Sequence, residues 1–192
     1  MSGSKPSRLP HRALRPGAAL VALLVAAGCH SAGQYGYART YDPLSEEEDF
    51  AEGARELDPV MMEREPESWR GAKLSLFGIV KGRTQAPGGG AYLTLSVRRL
   101  LDRNLCDSMD EDTCRVTVTD HEFGLFHAIV KLTPEDDIGK LSLGAGSLVR
   151  VIGTLTDNVD KNDGMQVLKG SYYRHWPRNY FVTDADRDHM KM

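Results

Sequence analysis

"KLSLFGIVKGRT" (73–84), "APGGG" (86–90) and "AYLTLSVRRL" (91–100) follow one another along the chain, and together they decide the fold. In the third stretch apolar and polar residues alternate strictly. Leu93, Leu95 and Val97 fall on one face, and Tyr92, Thr94, Ser96 and Arg98 on the other. A period of two is that of a half-buried β-strand. "APGGG" is a turn between two such runs. The first run alternates at Leu74 and Leu76, then shifts phase to Phe77 and Ile79. A phase change beside Gly78 predicts a bulge or sharp bend in a long strand.

Further along, "RVTVT" (115–119) and "GLFHAIVKL" (124–132) read as strands, the latter with Phe126, Ala128, Val130 and Leu132 on one face. "PEDDIGKLSL" (134–143) begins as a helix: Thr133 is a suitable N-cap, Pro134 suits the first position, and acids occupy the first turn. Gly139 keeps it short. "SLVRVIGTL" (147–155) and "MQVLKGSYYRHW" (165–176) are strands on either side of the turn-rich "DNVDKNDG" (157–164). A long bent strand, two strands, a short helix and two strands follow the order of an OB-fold. The expected fold is therefore all-β: a five-stranded OB-fold-like Greek-key barrel with one short helix, spanning residues 69–182. An SH3-like barrel or an immunoglobulin-like sandwich is the alternative, although a sandwich usually has about seven strands and lacks this helix.

The N-terminal part has a different character. Residues 1–16 carry Lys5, Arg8, Arg12 and Arg15 and no acid, and Gly17–Ala27 is a run of eleven residues without a polar side chain. These are the charged and apolar regions of a secretory signal peptide, and the run is too short to span a bilayer. It ends in Ala26-Ala27-Gly28-Cys29, which resembles the lipobox of bacterial lipoproteins. That resemblance implies cleavage before Cys29 and acylation there, palmitate included. Several acyl chains make a stable membrane anchor where one is marginal. An ordinary signal peptide with a free cysteine is the alternative.

Three cysteines leave an odd one in an exported chain. Lipidation accounts for Cys29. Cys106 and Cys114 flank the polar "DSMDEDT", and in an oxidising compartment they are expected to form a disulfide worth about 2 kcal/mol. No CxxC spacing favours a metal site instead.

The whole chain carries a net charge of −3, and without residues 1–28 it carries −7. Residues 30–68 hold eleven acids, among them Glu46, Glu47, Glu48 and Asp49, against three arginines. With few large apolar residues, that segment is expected to be a disordered tether (29–68), with a transient helix at most around Ser45–Leu57. Residues 69–192 are nearly neutral at +1, and residues 183–192 read as a polar tail.

The Trp-led strand "WRGAKLSLFGIVKG", the strand ending in "LLDRN", "GSLVRVIGTL" and the closing "YYRHWP", preceded by a lipobox, resemble the Slp-type outer-membrane lipoproteins. The resemblance covers about residues 69–182. It implies a small anchored OB-like barrel, an envelope location and no enzymatic activity. The Cys106–Cys114 insertion and the acidic segment depart from the family pattern. His30 after the cysteine is not aspartate, which favours the outer membrane over inner-membrane retention.

Catalytic signatures are lacking. His121, His127, His175 and His189 show neither an HxxxH nor an HExxH spacing, and no serine lies in GxSxG. His127 reads as an outward or internally satisfied histidine. "TDHE" (119–122) reads as a hairpin turn. Counting "DNVDKNDG" as a calcium loop from Asn158 puts Lys169 where the bidentate glutamate belongs; Asp163-Gly164 suits a hairpin turn instead. No metal, cofactor or enzymatic activity is expected. Tyr92, Arg98, Arg99, Arg103 and Lys131 could line a nucleic-acid face, but a neutral domain, an acidic neighbour and export all argue against that partner.

The densest aromatic group is "YYRHWPRNYF" (172–181). Tyr172, Tyr173, Arg174, Trp176, Arg178 and Tyr180 form a candidate interaction surface, because Tyr, Trp and Arg anchor interfaces. Alternatively, half of them close the barrel. The expected function is a lipid-anchored structural or interaction module contacting another envelope protein or glycan. A binding module for a small ligand, glycan or divalent cation is the alternative.

Overall fold

The computed structural model describes residues 38, 39, 41, 43–87, 89–105 and 115–185. Cys29, Cys106 and Cys114 lie outside the described residues, as do the expected signal peptide and residues 186–192.

In chain order the elements are β1 (Ala38–Arg39), α1 (Ser45–Ala51), β2 (Arg55–Glu56), α2 (Pro59–Arg64), α3 (Pro66–Trp69), β3 (Lys73–Gln85), β4 (Ala91–Arg98) and β5 (Leu100–Leu105). There follow β6 (Arg115–Val118), β7 (Leu125–Val130), α4 (Pro134–Asp137), β8 (Leu148–Val159), β9 (Gln166–Trp176) and β10 (Phe181–Thr183). Five of these strands close a barrel. β3 pairs antiparallel with β4, β4 with β7, β9 with β8 and β8 with β3, whereas β7 and β9 run parallel. Numbered within the barrel, the order is 1-2-3-5-4-1, that of an OB-fold. The expected helix after the third barrel strand is α4, capped as its sequence predicts: the Thr133 hydroxyl accepts from the Asp136 N–H at 3.3 Å.

The barrel is solid. Leu74, Leu93, Leu95, Phe126, Ala128, Val151 and Leu168 are fully buried in one cluster with Leu76, Val80, Val97 and Val130. The apparent phase change in β3 has a different cause from the expected one. Leu74, Leu76 and Val80 keep one inward phase past Gly78, and Phe77 and Ile79 face outward into a second buried cluster. Both faces of this strand are covered, so both carry apolar residues. The bulge lies two residues later, between Val80 and Gly82. Gly78 serves a close approach, since a Cβ there would sit 2.9 Å from the Leu95 Cβ. Gly153 and Gly170 are paired across β8 and β9 at a second bulge, where a Cβ on Gly153 would lie 2.7 Å from the Gly170 Cα.

A second, smaller sheet in the order β1-β5-β6-β10 covers the outer face of the barrel. Its cluster joins Val116 and Val118 to Phe77, Leu148 and Trp176. "RVTVT" is thus a strand, but not of the barrel: β6 pairs with β5 and β10. "TDHE" is accordingly a crossover between two sheets rather than a hairpin turn.

The largest correction concerns the acidic segment. From residue 43 onward the expected tether is folded onto the barrel, and three short helices precede the one that was expected. Leu57, Met62 and Trp69 enter the main core, and β2 adds to β3 in parallel. Few large apolar residues are present, but Leu57 just after β2, Met62 in α2 and Trp69 in α3 each turn onto the barrel. The domain therefore begins well before residue 69.

Candidate functional site

The residues singled out in "YYRHWPRNYF" divide between two faces, as alternation along β9 requires. Tyr172, Arg174 and Trp176 lie on the outer face, and Tyr173 and His175 point toward the barrel end closed by α4. Trp176 is fully buried in the second cluster and Arg174 is 7% exposed. Tyr180 is half-buried against that cluster, and exposed Arg178 donates to the Ala145 carbonyl at 3.0 Å. Most of the expected interaction surface is therefore occupied by the protein's own chain.

Its occupant is α1. Glu47, completely buried, accepts from the Tyr41 hydroxyl at 2.5 Å, from Arg150 at 2.6 Å and from Arg174 at 3.1 Å. Its carboxylate also reaches back to the Leu44 N–H at 3.2 Å, capping the helix in place of Ser45. Phe50, one turn on, stacks over Tyr172 at 5.2 Å between centroids. The helix is amphipathic in an unusual sense, because its buried face presents a carboxylate to two guanidinium groups. Glu46, Glu48 and Asp49 stay exposed.

Beside this seat lies an open groove of about 520 Å³, lined by Phe50, Lys131, Thr133, Asp136, Tyr172 and His175 among others. Asp136 organises its floor. One carboxylate oxygen faces His175 Nδ1 at 2.8 Å, and the other accepts from the Tyr173 hydroxyl at 2.7 Å. Arg83 holds α4 from beneath by donating to the Asp137 and Leu143 carbonyls at 3.1 and 2.9 Å. His175 Nε2 is buried and has no hydrogen-bond partner among the described residues. A carboxylate-oriented imidazole with a free Nε2 has the form of a general base, but a nucleophile–base pair also needs a hydroxyl or thiol within hydrogen-bond reach. None of the described side chains fills that role.

Burial pushes the Tyr172 hydroxyl up to about 12, and the negative charge of Glu47 adds to it. Burial raises Tyr41 and Tyr173 as well. A phenol whose folded pKa exceeds its unfolded value of 10 lends stability that is whole below pH 10 and lost as pH rises through the folded value. Stability is therefore expected to fall between pH 10 and about 12. Absorbance titration of the phenolates together with circular dichroism checks this, with late ionisation and unfolding expected to coincide.

The outer face of β4 and β7, with the loop between β8 and β9, is where OB-folds commonly bind ligands. Tyr92, Thr94 and His127 lie there, covered by Asp160 and Asp163 from that loop. Among the described residues, His127, Asp160 and Asp163 form the group whose donor types and spacing could hold a metal ion. Two of the basic residues expected nearby are engaged elsewhere: Arg98 donates to the Thr119 and Asp120 carbonyls, and Arg99 lies over the Phe123 ring and pairs with Asp58; Lys131 is exposed and lines the groove beside Tyr172.

Sequence reading missed Glu47, Asp136 and the loop carboxylates. For Glu47 the available signal was its i,i+3 relation to Phe50. For Asp136 and the loop carboxylates it was the outward phase of His127 and the inward phase of His175 in otherwise legible strands. Searches against protein-family models, curated proteins and solved structures found no match.

Proposed function

We propose that this chain is an outer-membrane lipoprotein, anchored through acylated Cys29, whose barrel is a non-enzymatic interaction module for another envelope protein or glycan. The lipobox-like sequence and the resemblance to Slp-type lipoproteins support the anchor. The observation that carries the module reading is the solid barrel. Leucine, valine and phenylalanine side chains fill its interior, so recognition falls to the outer surface, where the groove beside Tyr172 and His175 is open. The engaged arginines and the carboxylates on the β4–β7 face weigh against a nucleic-acid partner, which needs a basic track. Cys106 and Cys114 form a disulfide in this proposal.

The test is intact mass and membrane fractionation of the native protein beside a Cys29→Ser variant. The native form is expected to carry acyl mass and to sediment with membranes, and the variant to be unacylated and soluble. Unmodified Cys29 in a soluble native protein would overturn the anchor. For the module, a photocrosslinker in place of Tyr172 is expected to give a discrete adduct in intact cells. No adduct, or the same adducts from exposed Lys140, would count against it.

A further inference from the structure

On the β4–β7 face, away from the groove, two carboxylates and one imidazole converge without a basic partner. His127 extends outward from β7, yet it is only 5% exposed because the β8–β9 loop folds over it. Its Nδ1 faces the Thr94 hydroxyl at 3.4 Å, so Nε2 is turned toward the loop, where Asp163 Oδ2 lies at 2.7 Å. Tyr92 stacks on the imidazole at 5.4 Å between centroids and donates its hydroxyl to Asp160 Oδ2 at 2.5 Å. Each aspartate is held by its other oxygen: Asp160 Oδ1 accepts from the Asn162 N–H at 2.7 Å, and Asp163 Oδ1 from the Met165 N–H at 2.9 Å. Asp163 Oδ2 is thereby held against the buried imidazole, and Asp160 Oδ2 against the Tyr92 hydroxyl beside it.

We infer that His127, Asp160 and Asp163 form a binding site for a divalent first-row transition-metal cation of the Zn²⁺ type. One ligand atom from each lies within 4.8 Å of the others. Zinc–nitrogen and zinc–oxygen bonds of about 2.0–2.2 Å therefore need only small side-chain rotations to close around an ion. Neither aspartate is paired with a lysine or arginine among the described residues, so two adjacent negative charges face a single imidazole. A cation supplies the missing positive charge. An imidazole with two carboxylates is a mixed N/O donor set that suits such a cation, whereas Ca²⁺ requires six to eight oxygens. Three protein ligands also leave a coordination position open to water. The Thr94 hydroxyl at Nδ1 and the Tyr92 ring stacked on its face orient the imidazole, as outer-shell partners do in metal sites.

The inference is independent of membrane anchoring and is tested with the full chain, freed of metal by a chelator and titrated calorimetrically with Zn²⁺. One equivalent is expected to bind with micromolar affinity and to raise the thermal midpoint. Loss of a supporting hydrogen bond alone costs metal sites about 10–100-fold. Asp160→Asn and Asp163→Asn, both outside the apolar core clusters, should therefore each weaken binding by at least about tenfold. In the double variant the Zn²⁺-dependent rise in midpoint should vanish. Perturbation of the His127 ring resonances by Zn²⁺ should accompany binding. Absence of binding to the native chain, unchanged affinity in the double variant, or preference for Ca²⁺ over Zn²⁺ would each overturn the inference.

Discussion

Replacing Glu47 by alanine is expected to lower the unfolding free energy by about 3–5 kcal/mol, because it leaves Arg150 and Arg174 covered by protein without their counter-charge. The carboxylate is fully enclosed and accepts from four groups, including both guanidiniums. Domains of this size are commonly stable by about 5–15 kcal/mol, so the loss is a large share of the total. Urea denaturation followed by circular dichroism measures it. Arg150 retains some access to water, with its side chain 14% exposed, which places the effect toward the lower end. The destabilisation comes from the orphaned arginines rather than from loss of an intrinsically strong pair. Replacing all three charged residues by apolar ones of similar size is accordingly expected to recover most of it. A Glu47→Ala variant within about 1 kcal/mol of the native protein would mean that α1 is held chiefly by the stacking of Phe50 on Tyr172.

Trp176→Ala is expected to cost about 3–5 kcal/mol, the usual range for deleting a fully buried large aromatic. Trp176 sits where the barrel meets the small sheet, packed with Phe77, Val116, Val118 and Leu148. Its ring lies 6.0 Å from Phe77 and 6.1 Å from Tyr41, with Arg174 over its face at 4.9 Å. The void would therefore loosen the seat of the second sheet as well as the barrel wall. The indole N–H has no hydrogen-bond partner among the described residues, so Trp176→Phe forfeits area but no hydrogen bond and should cost clearly less. Chemical denaturation followed by the fluorescence of the remaining Trp69 reports both variants. Both Glu47 and Trp176 contact Tyr41, so the Glu47→Ala and Trp176→Ala effects should not be additive.

The barrel was legible because its strands obey a simple period. Alternation in 91–98 and 125–130 identified the inward residues, and Thr133-Pro134 located the helix between the third and fourth barrel strands. What misled was cover supplied from a distance. Phe77 and Ile79 mimic a phase shift only when the second sheet is unknown, and that sheet is assembled from residues 38–39, 100–105, 115–118 and 181–183. Composition misled in the acidic segment. A run of four acids reads as solvated, and three of the four are, but the fourth finds two arginines far along the chain. Charge counting treats all four alike, whereas pairing is a property of position. The loop carboxylates beside His127 were set aside for a related reason: weighed only as a self-contained calcium loop, "DNVDKNDG" lacks its glutamate, and Asp160 and Asp163 meet His127 only across the fold.

The two residues joined by the deepest ion pair are separated by 127 positions, and the second partner of Glu47 lies 103 positions away. Synthesis proceeds from the N-terminus, and a seven-residue helix cannot sustain itself in water without tertiary contacts. Residues 45–51 therefore leave the ribosome long before anything exists for them to dock on. Their contacts with Arg174 and Tyr172 can be completed only once β9 has been made. Formation of so non-local a contact is also slow, since the intervening chain must first be ordered. The segment that emerges first among the described elements of α-helix is thus fixed in place among the last, and any process acting on the chain's N-terminal part has the whole of that interval in which to act.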